Sequence, residues 1–460
     1  MRTKEEIKKK TANMTEGRPL RLMITFMLPV IGTNIMQQIY AMADSISVGQ
    51  GVGGEALAAI GTTDWLRNGV MWTILGLCDG FAILTAIAFG RRDDRQTADS
   101  IVNILILGAA IGVILSVAGF VFTKPLLLLI GTEEVIMDKA CIYLQISYAG
   151  SAFVMMFNAG SSVLKSLGDS RTPFYAMILS SVVNILLDLV AVFVLKWGIT
   201  GAAVATVLAQ LIAGIYCAAT LWKLPVMGYM SEMKPNIRLM KNLMAKGVPM
   251  AADMAILAVG GVILQSVINR AGFDYVAAFA ATNKMILIYE GIAIALGSAM
   301  LTYVGQNYGA GRFDRIREGM KTALVISAVV SAVLGAVLVL FGRYLMIPFI
   351  ERDAPSFENI VQLGGWYFTI IGLGLFTLYA LHIYRQSLMG LGNTIWPLLS
   401  GAGEFAGRVG TATVLVWLIG YRALLGAEVA AFILADLFLV VPYYMVLRNR
   451  EREHNYYAKK

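Results

Sequence analysis

The sequence predicts an all-α integral membrane protein of twelve spanning helices in two pseudo-symmetric six-helix bundles. Three observations predict it. The 460 residues are 58% hydrophobic and only 14% charged, whereas soluble domains run near 45–50% apolar and about 25% charged. Twelve apolar segments reach the roughly 20 residues that a spanning helix needs. Short motifs of the first half recur, in order, in the second.

Residues 1–20 are basic and polar and read as a cytoplasmic segment leading directly into helix 1, roughly 21–48. That first apolar run exceeds a signal-peptide core and lacks a convincing cleavage site, so it is expected to remain as a span. Pro29 within it lacks an N–H and clashes with the preceding turn, which marks either a hinge or a static kink. Helices 2 to 6 follow at roughly 55–90, 100–123, 138–164, 173–195 and 200–222, completing a first bundle over 21–222. Residues 223–246, Lys223 to Lys246, read as a basic cytoplasmic linker. The second bundle, 247–447, holds helices 7 to 12 at roughly 247–269, 275–308, 320–342, 357–389, 397–419 and 425–447. Helices 2 and 8 are long enough to tilt or protrude. Residues 448–460 read as a basic cytoplasmic tail, a helix terminus whose side chains snorkel to anionic lipid headgroups.

Orientation comes from charge. With the N-terminus cytoplasmic, and residues near span ends counted with the adjoining loop, inner segments and tails hold 27 of the 37 Lys and Arg residues, the outer side seven, and the span interiors three: Arg67, Lys284 and Arg408. This asymmetry puts both tails inside the cytoplasmic membrane of a bacterium. The net charge of +8 therefore reads as an orientation signal facing lipid, with no nucleic-acid partner.

Catalytic and metal chemistry find little material. Cys78, Cys141 and Cys217 are dispersed and form no disulfide framework. With only His382 and His454, neither a histidine metal site nor a Ser/His/Asp triad can be assembled. The run Gly309 to Arg312 lacks the Gly-Lys-Ser/Thr of a phosphate loop. No enzyme activity and no cofactor beyond a coupling ion, H⁺ or Na⁺, is expected.

Duplication rests on three matches. The run Glu55 to Thr63 matches Asp274 to Thr282, Gly90 to Asp93 matches Gly311 to Asp314, and Leu167 to Pro173 matches Leu391 to Pro397. Six helices per half is an even number, so both halves face the same way, with a cavity expected between them. One chain then supplies both halves of a pathway and is expected to function as a monomer.

Ionisable groups in the hydrocarbon region need a partner or a role. Asn184 and Asp188 lie four apart, on one helix face. Asp188 is nine residues before Trp197 and Thr206 nine after it, so both lie about 13 Å below that outer turn. Asp44 lies about 12 Å below the preceding outer turn, Gly49 to Gly54. Two carboxylates, an amide and a hydroxyl at one depth offer the hard oxygens that a proton or an alkali cation accepts. A hydrogen-bonded brace between helices 1, 5 and 6 is the other reading.

The chain resembles the MATE (multidrug and toxic compound extrusion) family, bacterial DinF/MepA-like branch. The likeness rests on Met36, Gln37, Gln38 and Asp44, the run Glu55 to Gly61, Leu167 to Pro173, Asn184 with Asp188, Gly201 to Thr206, and Gln306 to Gly311. It covers nearly the whole chain. It implies two lobes in a V and antiport of H⁺ or Na⁺ against small organic, often amphipathic or cationic, compounds. It also implies that Asp44, Asn184, Asp188 and Thr206 form the coupling site. The other reading is a flippase for a lipid-linked sugar, which would need cations such as Arg67, Lys284 and Arg385.

Some residues depart from the family. Asp253 lies four residues after Pro249, where another branch has its carboxylate eight residues on, at Leu257 here; a second coupling site is therefore not expected, and Asp253 is expected near the inner mouth. Glu404 and Arg408 are four apart and form a candidate intramembrane ion pair. Asp64, Arg67, Asp79, Lys284 and Glu290 either contact a polar substrate or pair with one another. Further candidates for the substrate cavity are Gln38, Met42, Met155, Met156, Phe157, Tyr289 and Tyr379, on the grounds that methionine and aromatic surfaces deform around many shapes.

Overall fold

A computed structural model of the chain describes residues 13–350 and 356–458. Among them it is helical almost throughout, and its spans run in the expected order. They are α1 (Pro19–Gly51), α2 (Gly54–Gly90), α3 (Asp94–Leu129), α4 (Glu134–Ala149 and Ser151–Ser166), α5 (Arg171–Asp188, continued by a π-helical turn, Leu189–Val194) and α6 (Gly198–Leu221). After a 3₁₀ stretch, Pro225–Glu232, come α7 (Ile237–Arg270), α8 (Phe273–Gly309), α9 (Phe313–Met346) and α10 (Phe357–Gly390). Then α11 runs through Ile395–Gly410, a π-helical turn Thr411–Leu415 and Val416–Ile419, and α12 through Tyr421–Gly426, Ala427–Leu437 and Val440–Ala458. Among the described residues, ten helices are long and apolar enough to cross a membrane, and the two pieces of α4, bent by 43°, make an eleventh. The twelfth span is α11, which a π-turn divides.

Two details differ from the sequence reading. The segment read as a linker over 223–246 is half helix, because Asn236 caps α7 early: its Oδ1 accepts the N–H groups of Arg238 at 3.1 Å and Leu239 at 3.2 Å. The tail, expected as a helix terminus, is helical as far as Ala458. The second repeat match is displaced by two: α2 ends at Gly90 and α8 at Gly309, and the left-handed residues beyond are Arg92 (φ 58) and Gly311 (φ 69). The turn is fixed by which residue takes positive φ, not by where glycine recurs.

The chain divides into two compact units, and neither matches a half of the sequence cleanly. Leu28–Ala251 makes up the first, and Met14–Met27 with Ala252–Lys460 the second. Both α1 and α7 thus contribute to each unit. Pro29 and Pro249, 220 positions apart, each lie within two residues of the changeover.

In the first unit the apolar interior is split. One cluster gathers Ile74, Phe81, Ile101, Leu164 and Cys217; the other gathers Val48, Ile60, Leu127, Leu144 and Ala202. Contact is close where glycine allows it. A Cβ at Gly80 of α2 would lie 2.6 Å from the Lys246 carbonyl, and one at Gly32 of α1 would lie 2.5 Å from Phe174. In the second unit Arg315 holds the stretch before α1, donating to the Gly17 carbonyl at 2.9 Å. Asn307 donates to the Met14 carbonyl at 3.1 Å, and the Gln306 side chain accepts the Met14 N–H at 2.8 Å. The polar motif beginning at Gln306 is therefore an anchor.

Candidate functional site

Asp44, Asn184, Asp188 and Thr206 all belong to the first unit, in the gap between its two apolar clusters. On α1, Asp44 falls between Tyr40 of one cluster and Val48 of the other; on α5, Asn184 and Asp188 fall between Met177 and Val192; on α6, Thr206 falls between Ala203 and Ala213. Asn184 and Asp188 are fully buried, and Asp44 is 6% exposed. Asn184 Nδ2 donates to Thr206 Oγ1 at 3.4 Å, the long end of the hydrogen-bond range.

What defines this layer is its unused acceptors. Asp44 Oδ1, Asn184 Oδ1 and both carboxylate oxygens of Asp188 are buried with no hydrogen-bond partner. The Asp44 and Asp188 carboxylates interact electrostatically. A buried anion with no donor is costly, and two together are worse. The donor set suits a bound proton or an alkali cation: both are satisfied by carboxylate, amide and hydroxyl oxygens.

A ring of further side chains surrounds Asp44. Tyr40, one turn earlier on α1, lies within hydrogen-bonding reach of Arg67 and Gln210. Tyr143 on α4 interacts with Arg67, Asp44 and Asp64. Arg67 Nη2 donates to Asp64 Oδ1 at 3.0 Å, one turn away on the same helix. Sequence reasoning left Arg67 between the substrate path and a pairing with its charged neighbours, and here it pairs with Asp64. Tyr40 had a usable signal, four residues from Asp44 on the same face; Tyr143 had none. Nor did any residue announce the π-turn directly after Asp188, a widening that often marks functional positions. The second unit carries its own π-turn in α11.

The second unit holds an ion-pair network larger than the one expected. Arg408 meets Glu404 at 2.9 Å and Glu428 at 2.9 Å, while Arg385 meets Glu404 at 2.8 Å and Asp253 at 3.8 Å. Asp253, expected near the inner mouth, is 1% exposed beside Arg385. The signal missed was Arg385, whose burial no spacing rule revealed. Glu290 interacts with Glu428 and Arg408.

The remaining candidates scatter. Gln38, Met42 and Lys284 are exposed, and Met156 is partly buried. Met155 is sealed in the core, its sulfur 3.7 Å from Cys78 Sγ. Phe157 lines a small cavity of mixed polarity with Asn158 and Gln210. Tyr379 is buried and donates to the Tyr289 carbonyl at 3.2 Å. Asp79 accepts from Ser162 Oγ at 3.0 Å. Thr33 Oγ1 donates to the Pro29 carbonyl at 3.0 Å, and α1 runs unbroken through that proline.

Twelve helical spans in two repeats, with a buried acidic layer in the first, define a polytopic membrane transporter. The chain belongs to the MatE family, whose model matches residues 29–190 and 249–403. It is 25% identical over 391 residues to the probable multidrug resistance protein YoeA of Bacillus subtilis, covering 82% of each chain. It is 29% identical over 366 residues to the probable multidrug resistance protein YpnP of the same organism, covering 79% of this chain and 82% of that one. Among solved structures, a crystal structure of MATE in complex with MaL6 matches at TM-score 0.87 and 21% identity, over 96% of this chain and 99% of that one. Multi-pass efflux transport is thus the function class.

Proposed function

We propose that the chain is a secondary active exporter, in which H⁺ or Na⁺ occupying the Asp44, Asn184, Asp188 and Thr206 layer drives small amphipathic or cationic organic compounds outward by alternating access. The observation that carries this reading is the set of four buried, partnerless oxygens on Asp44, Asn184 and Asp188. A structural brace would use those oxygens up in hydrogen bonds; a cation-exchange site keeps them free. Pro29 is the hinge in this reading: the N–H it lacks leaves α1 one hydrogen bond short more than four turns before Asp44. The charge asymmetry of the loops orients both tails to the cytoplasm of a bacterial cell, and internal duplication favours a working monomer.

The multidrug names of YoeA and YpnP support the substrate class. A flippase for a lipid-linked sugar is disfavoured, because two of the cations it needs are engaged elsewhere: Arg67 with Asp64, and Arg385 with Glu404 and Asp253. Exposed Gln38, Met42 and Lys284 remain the substrate-path residues to examine first.

The test is dye transport in proteoliposomes under separately imposed pH and Na⁺ gradients. Wild type responds to at least one gradient, and Asp44→Asn and Asp188→Asn, present at normal levels, respond to neither. Full transport in either variant removes the coupling assignment.

A further inference from the structure

Four helices of the first unit carry polar residues at helical spacing on faces that converge. On α1 the stripe is Thr33, Gln37, Tyr40 and Asp44, at intervals of four, three and four, which keeps all four on one face. On α6 it is Thr206 and Gln210, on α5 Ser181, Asn184 and Asp188, and on α4 Asn158, Ser161 and Lys165. Eleven residues separate Thr33 from Asp44, so the α1 stripe is about 16 Å long.

The stripes meet in a cavity. A space of about 80 Å³ has Thr33, Gln37, Asn158, Ser161, Lys165 and Gln210 on its polar side and Val30, Met71, Leu75 and Phe157 on its apolar side, with Ser170, near the Gly168 turn, also in its lining. That space is large enough for water, and the polar side of the lining offers the two or more hydrogen-bond partners that a buried water needs. Gln210 bridges the cavity and the acidic layer. Its side chain reaches the Tyr40 hydroxyl, its Oε1 is buried with no partner, and it lies one turn from Thr206. Apolar side chains, Phe157 of the first cluster among them, wall part of this route, and polar groups recur along it from Asp188 to Ser170.

We propose that the first unit contains its own ion route: a hydrated column through Tyr40, Gln210 and the Asn158 cavity that connects the acidic layer to the membrane face carrying the Gly168 turn. This inference rests on the coupling reading above and adds where the ion leaves, since that face is cytoplasmic in the proposed topology. The ion and the organic substrate then need not share a path. Waters in the cavity relay a proton, or replace the hydration shell of a small cation, between Asp44 and the exit.

The experiment compares Gln210→Leu, Asn158→Leu and Asp44→Asn in purified, monodisperse transporter, measuring dye affinity by binding and turnover in proteoliposomes. If the column conducts, both leucine variants bind dye with wild-type affinity but turn over at least about tenfold more slowly, and Gln210→Asn regains most of the rate. Gln37→Leu, at a partly exposed position, obstructs the same column should a buried variant fail to fold. Turnover within about twofold of wild type in any folded leucine variant overturns the column while leaving the coupling site standing. Normal transport by Asp44→Asn overturns the coupling reading and the column together.

Discussion

Arg385 Nη2 lies 2.8 Å from Glu404 Oε2 with both side chains almost wholly buried, at 5% and 6% exposure. Its Nε donates to Ser400 Oγ at 3.1 Å, and Asp253 stands 3.8 Å away. One guanidinium therefore serves two acids inside the second unit. Arg385→Met leaves both acids without that cation, a loss of roughly 3–5 kcal/mol for a buried pair broken on one side. Thermal unfolding in detergent should show a large drop. Adding Asp253→Asn and Glu404→Gln should restore part of it. The exposed pair of Arg450 and Glu453, at 35% and 56% exposure, should contribute less than about 1 kcal/mol in the same assay.

The acidic layer of the first unit predicts the opposite sign. Asp188 keeps two buried oxygens without donors, so its presence costs stability. Asp188→Leu should abolish transport while raising the melting temperature by a few degrees, the trade expected when a functional group is removed from a strained site. A lower melting temperature in this variant would mark Asp188 as a brace.

Arg315 and Asn307 are the clamps on the stretch before α1. Arg315→Leu removes its donor bonds to the Gly17 and Met14 carbonyls, each buried bond contributing about 1 kcal/mol. Limited digestion with a glutamyl endopeptidase should then cleave after exposed Glu16 faster than in wild type. Asn307→Ala should give a smaller change in the same direction.

Helix spacing supplies a fourth test. Gly80→Val drives a side chain into the Lys246 carbonyl and the Gly247 backbone, where even a Cβ would lie 2.6 Å from its neighbours. Overpacking of this kind costs about 1–3 kcal/mol or more. Gly69, on the same helix, has nothing within 4 Å of the point a Cβ would occupy, so Gly69→Ala should be neutral or stabilising by about 0.5–1 kcal/mol. Expression level and melting temperature of the two variants separate these outcomes.

Much of this molecule was legible in its residues. Apolar run length gave all twelve spans, because the bilayer imposes a single length and forbids unpaired backbone. Depth arithmetic aligned Asp44, Asp188 and Thr206, because helical rise is constant. Three things were hidden. The π-turn after Asp188 depends on packing around it and leaves no mark in composition. Arg385 sits on a span whose polarity hints at nothing, and only the fold brings Asp253 and Glu404 to it. Tyr143 reaches the acidic layer from α4, ninety-nine positions after Asp44, a proximity that one sequence cannot disclose.

The changeover points near Pro29 and Pro249 bear on how such a chain can be assembled. Met14–Met27 folds with the later half of the polypeptide, and the opening turns of α7, as far as Ala251, fold with the earlier half. Each half has lent the other the first part of its leading helix. Cutting the polypeptide between Leu224 and Asn236 would give two fragments, each missing a piece that the other carries, so each would become whole only in its counterpart's company.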